Sequence, residues 1–145
     1  MMSWVRAGAI AIVGLAAIGQ DVRTREISNW TNGLAVAVGL AVGAWEGGWP
    51  GLGRSAGGLL IGFFVFFGAY LLNWRGGGDV KLMAGFGSLL GTERIWHAVF
   101  LSMVLGGVFA LLYLVWRKIR PGDTNAMPAA PSIVVAAWLA CLVDV

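Results

Sequence analysis

The chain has 145 residues, 59% hydrophobic and only 12% charged, with a mean hydropathy of +0.81. A soluble domain carries about 25% charged residues, and one this short keeps too large a surface fraction to hide so much apolar side chain, so the composition excludes a soluble fold and predicts one lipid-embedded domain over residues 1–145. The net charge of +3 comes without a basic stripe interleaved with aromatics, which argues against a nucleic-acid partner, and a single cysteine and a single histidine suggest neither a disulfide framework, a metal centre nor a cofactor.

Residues 4–20 form the first predicted span. This run of Ala, Ile, Val, Leu and Gly reaches roughly 25 Å as a helix, close to the hydrocarbon thickness of a bilayer. A signal peptide is the alternative, because Arg6 and the run LAAIG imitate its basic and cleavage regions. The same texture in every later segment favours a span. A polar stretch, DVRTREISN, occupies residues 21–29, and a second span follows over 30–45, with Gly39 and Gly43 at GxxxG spacing. EGGWPGLGR, residues 46–54, reads as a loop from its Gly and Pro content. The third span, 57–72, carries four phenylalanines, and its Gly58 and Gly62 admit a close neighbour. The fourth, 80–91, is short for a crossing at roughly 20 Å. A long fifth span covers 95–116, a basic loop RKIRPGDTNAMPAAP closes over 117–131, and a short sixth span covers 132–145. The predicted fold is all-α: a polytopic integral membrane protein with six transmembrane helices in a bundle.

Tryptophans mark the borders. Trp4, Trp30, Trp45, Trp49, Trp74, Trp96 and Trp116 fall at or beside proposed ends, where an amphipathic ring prefers the headgroup layer, and only Trp138 lies within a span. With six spans, the gaps holding Arg23, Arg25, Arg75, Lys81, Arg117, Lys118 and Arg120 share one side, against Arg6, Arg54 and Arg94 on the other. The bias places the first side in the cytoplasm and both chain ends opposite it.

Against that background WRGGGDVKLMAGFG, residues 74–87, sets a charged Asp-Val-Lys among glycines in a chain suited to lipid. Asp79 opens the fourth span and Asp21 closes the first, so both lie at one depth, at the cytoplasmic boundary. Two carboxylates that approach in a helix bundle share a single proton. One can then take a proton from water while the other gives one to a scissile carbonyl oxygen. Gly76, Gly77 and Gly78 let the backbone turn tightly and leave N–H groups for an extended substrate. A helix N-terminus would stabilise Asp79 as an anion. Taken singly, either acid reads equally as a helix cap or a solvated loop residue.

GGGDVKLMAGFGSLLG, residues 76–91, resembles the G-x-G-D helix start of type IV prepilin peptidases, the membrane aspartyl proteases that mature pilin precursors. DVRTREISN resembles that family's first motif, an Asp and a basic loop leading to Ile-Pro-Asn. MPAAPSI, residues 127–133, resembles the Pro-x-Ala-Pro-x-Ile that opens its last helix. The three stretches follow the family's order over nearly the whole chain. The resemblance implies that Asp21 and Asp79 are the catalytic pair and that the chain cuts prepilin leaders, usually after Gly, at the cytoplasmic face of the bacterial inner membrane. Gly76 and Gly78 match motif glycines and Lys81 the following basic residue. With Gly77 and Asn29 they are the candidate substrate contacts, headgroup contact for Lys81 and a solvated loop position for Asn29 and Glu26 being the plainer roles.

Departures accompany the likeness. Ser28 stands where the family usually has Pro, which suggests a less rigid first loop. The paired cysteines that accompany pilin N-methylation in larger members have no counterpart here, so the chain resembles the short, peptidase-only branch associated with Flp-type tight-adherence pili. A non-enzymatic transporter or pilus-assembly scaffold is the competing class, but proton-carrying acids would favour mid-membrane positions. A presenilin-like protease would place its first Asp after Tyr within a span, whereas Asp21 follows Gln20 at a span's end.

Overall fold

The computed structural model describes residues 4–24, 28–73, 76–119 and 130–142. The basic-loop positions Arg25, Arg75 and Arg120, together with Glu26, Trp74 and the first half of MPAAPSI, lie outside the described residues, as do the side chains of Asp21, Arg23, Trp116, Arg117 and Lys118. The described elements are all helical: α1 (Trp4–Thr24), α2 (Asn29–Leu71), α3 (Gly77–Ile119) and α4 (Ala130–Leu142).

α2 and α3 each contain 43 residues. Straight, each would measure about 65 Å, roughly twice the hydrocarbon core of a bilayer. Neither is straight. Gly48 (φ 56, ψ −140) breaks α2, and Gly91 (φ 74, ψ 178) breaks α3. Gly91 sits in a backbone region that is essentially glycine-only. The arms on either side fold back on each other. Gly43 lies against Gly51 and Ser55 across the first break, and Gly62 lies against both Met83 and Ile95 across the second.

The 46–54 stretch, expected as a loop, is therefore helical apart from Gly48. Pro50 falls in the first turn of the second arm, where its missing N–H breaks no helical bond. The gap expected before residue 95 likewise narrows to Gly91. One glycine with positive φ reverses a helix without the several residues a loop needs. At the ends, α1 runs on past Gln20 to Thr24, and α3 starts at Gly77 rather than residue 80.

The first arm of α3 is the centre of the bundle. Leu82, Met83, Phe86 and Leu89 are fully buried. This arm lies between the two arms of α2, and side chains are missing where they meet. On one side, a Cβ added to Gly39 would come within 2.8 Å of the Leu89 nitrogen, while Ser88 Oγ donates to the Ala35 carbonyl at 3.2 Å. On the other, Gly58 packs backbone to backbone on Gly87, so that a Cβ on Gly87 would lie 2.7 Å from the Gly58 carbonyl carbon. α4 covers α1, with Val134 and Trp138 against Gly14, and Trp138 Nε1 donates to the Ile10 carbonyl at 3.4 Å. The one tryptophan expected within a span thus has a partner for its N–H.

The exterior is apolar. Ile12, Leu15, Phe64, Phe100, Leu111 and Leu112 are exposed, as are Trp4, Trp30, Trp45, Trp49 and Trp96. Asn29–Leu71 and Gly77–Leu112 are long and apolar enough to cross a membrane, and Trp4–Gln20 and Ser132–Cys141 are shorter apolar helices. At the end of the bundle marked by Gly48 and Gly91, Arg6 Nε pairs with Glu46 Oε2 at 2.7 Å, joining the start of α1 to the end of the first arm of α2.

Replacing Gly91 by Ala forces a side chain into its glycine-only conformation and should cost about 1–3 kcal/mol. Gly107→Ala, at a helical glycine with nothing within 4 Å, should be neutral or mildly stabilising. Thermal unfolding of the two variants in detergent compares them directly, and equal midpoints would contradict this account of the break.

Candidate active site

Asp79 lies in the first turn of α3 and is only 7% exposed. Its N–H donates to the Gly76 carbonyl at 3.1 Å, closing that turn. A carboxylate there faces the positive pole of the helix. The three preceding glycines have a different use from the tight turn expected of them. None has positive φ; among the described residues of this connection Asn73 (φ 58), just beyond α2, is left-handed. A Cβ on Gly76 would meet nothing within 4 Å, and one on Gly77 would meet only the Tyr70 ring, at 3.7 Å. Gly76 and Gly77 thus border open space among the described residues.

Asp21 lies in the last turn of α1. Its side chain is outside the described residues, but its neighbour Gln20 shows how this end of α1 is held. Gln20 Oε1 accepts the Ser28 N–H at 3.0 Å and the Thr31 hydroxyl at 3.0 Å, and Gln20 Nε2 stands 2.8 Å from the same hydroxyl oxygen. One carboxamide therefore closes the segment carrying Asp21 onto the start of α2. Ser28 caps that helix, its Oγ accepting the Trp30 N–H at 3.3 Å.

Ser28, expected to loosen the first loop, is itself hydrogen-bonded, and residues 25–27 of that loop lie outside the described residues. Ser28 has φ −58 and ψ 137, a backbone that proline would also adopt. Proline has no N–H to give Gln20, whereas serine supplies that bond and the cap. Position 28 is held by hydrogen bonds instead of by a ring.

Asn29 and Lys81, both expected near the site, meet each other: Lys81 Nζ donates to Asn29 Oδ1 at 2.8 Å. This bond joins the start of α2 to the first turns of α3. The end of α1, the start of α2 and the start of α3 thus converge at one end of the bundle, opposite the Arg6–Glu46 pair. Among the described residues no three of His, Cys, Asp and Glu gather into one cluster.

Gln20, Thr31 and the buried Asn32 were not among the sequence candidates. Their signal was visible in part, as polar residues at the inner ends of apolar runs, where side chains are costly unless paired. Which of them would meet could not be read, because the partners sit on different helices.

A model of the type IV leader peptidase family matches residues 8–111, well over half of the chain. The chain belongs to that family. The matched region contains Asp21 and Asp79 and ends before MPAAPSI. Among curated proteins, the prepilin leader peptidase/N-methyltransferases of Aeromonas salmonicida (strain A449) and Aeromonas hydrophila are 29% and 28% identical to it over 103 residues. Each match covers 66% of this chain and 35% of the relative, so the chain aligns with only about a third of the length of these curated proteins. No solved structure matches.

Removing the Gln20 carboxamide should leave the Thr31 hydroxyl and the Ser28 N–H short of a partner. Gln20→Leu should therefore destabilise the protein by about 1–3 kcal/mol, and Thr31→Val by about 1 kcal/mol. Thermal midpoints of the two variants in one detergent would show this order.

Proposed function

We propose that this chain is a prepilin leader peptidase, an aspartyl endopeptidase that hydrolyses the leader of type IV or Flp-type pilin precursors at the cytoplasmic face of the bacterial inner membrane. The observation that carries the proposal is the position of Asp79. It is a buried carboxylate at a helix start, at the same end of the bundle as the last turn of α1 with Asp21, and both lie within the region matching the family.

In this reading the pair activates water. One carboxylate removes a proton from the water as its oxygen attacks the scissile carbonyl carbon, and the other delivers a proton to the carbonyl oxygen. Collapse of the tetrahedral species expels the amine, which takes up a proton from the pair. The open space beside Gly76 and Gly77 leaves room for an extended substrate along glycines 76–78, and Lys81, with Asn29, lines its approach.

The proposal extends to topology and scope. We read the chain as six membrane crossings, a reading that the breaks at Gly48 and Gly91 support, with the end carrying Asp21 and Asp79 in the cytoplasm, as the basic bias favours. The chain is read as peptidase-only, without methyl transfer. A transporter or scaffold reading gains nothing from acids placed at an edge of the bundle.

Co-expression with a pilin precursor should give a leader-sized shift, and mass spectrometry should find the new N-terminus unmethylated. Asp21→Asn and Asp79→Asn should each reduce cleavage by about 100-fold or more while the protein still inserts. Substantial cleavage by a clean Asp79→Asn variant would remove the mechanism. For topology, single cysteines in a Cys141→Ala background report sidedness: Thr24→Cys should be protected from an impermeant thiol reagent in sealed cells, and Gly47→Cys, at an exposed position beside the Gly48 break where a Cβ meets nothing within 4 Å, labelled. Labelling at position 24 would invert the orientation.

A further inference from the structure

Below the proposed carboxylate pair lies a group with unmet hydrogen-bonding capacity. Asn32 is 6% exposed, and neither its Oδ1 nor its Nδ2 meets a partner among the described residues. A buried amide with both bonds unmade is destabilising. A leucine of similar size would fill the space without that cost. Its surroundings place it at the site. Thr31, the preceding residue, is held by Gln20 beside Asp21, and Asn29, one turn earlier, holds Lys81. Across from it on α3 is Gly85, which has no side chain; a Cβ there would meet Ala35 at 3.0 Å and the Asn32 carbonyl at 3.8 Å.

We propose that Asn32 is a substrate-binding residue whose carboxamide pairs with a main-chain peptide group of the precursor at the carboxylate site. The inference rests on the prepilin-peptidase reading above. A carboxamide offers one acceptor and two donors, which matches the N–H and C=O of a peptide group two for two. An extended segment drawn to membrane depth loses the water that satisfied its backbone, so the protein must replace those bonds. Among the described residues, Asn32 is a buried side chain at this end of the bundle with both functions still unmade.

The test compares the full-length wild type with Asn32→Leu and Asn32→Ala in detergent, measuring thermal midpoint and cleavage kinetics on a purified pilin precursor. If Asn32 serves substrate and not the fold, Asn32→Leu should raise the thermal midpoint. It should also raise KM by about fivefold or more while kcat stays within about twofold. Asn32→Ala should raise KM in the same way, whatever its effect on stability. An unchanged KM in both variants, or a lower midpoint for Asn32→Leu, would overturn the inference while wild-type cleavage still upholds the peptidase reading. Failure of the wild type to cleave any precursor would overturn that reading, and this inference with it.

Discussion

Backbone contact at glycine holds this bundle together. The first arm of α3 reaches the centre because Gly39 meets it at Ser88 and Leu89, and because Gly58 and Gly62 meet it at Gly87 and Met83. In lipid, apolar side chains gain little by leaving one apolar surroundings for another, so helices associate through close packing and hydrogen bonds. Small residues permit that approach. Large side chains such as Ile12, Leu15, Phe64 and Phe100 are exposed on the lipid-facing exterior, while Leu82, Met83 and Phe86 fill the centre between the glycine contacts.

Central placement of that arm has a consequence at its end. Asp79 is carried into a buried position at the first turn of α3, while Gly76 and Gly77 before it border open space among the described residues. A helix start thus holds a carboxylate in a buried position beside the positive pole of the helix.

The polar residues of this end fall into two kinds. Gln20, Ser28, Thr31, Asn29 and Lys81 bond one another and hold three helix ends in register. Asn32 makes no such side-chain bond among the described residues. Where an unpaired polar group is expensive, the first kind reads as structure and the second as capacity kept for a ligand.

Much of this was legible in sequence because its physics is local. Apolar runs long enough to span lipid, tryptophans at their borders and an acid among glycines are properties of neighbouring residues, and they pointed to the all-helical class and to Asp21 and Asp79 as candidates. Ser28 shows the limit of that reading: its bond to Gln20 depends on a helix that sequence alone does not place beside it. The 46–54 stretch shows another, since Gly and Pro mark a break but do not say that it would shrink to Gly48. Only the tertiary structure decided which glycines became contacts, that Lys81 would meet Asn29 and that Asn32 would be buried without a partner. Each depends on residues of different helices meeting in space, and the sequence of one helix carries no record of which face another will present.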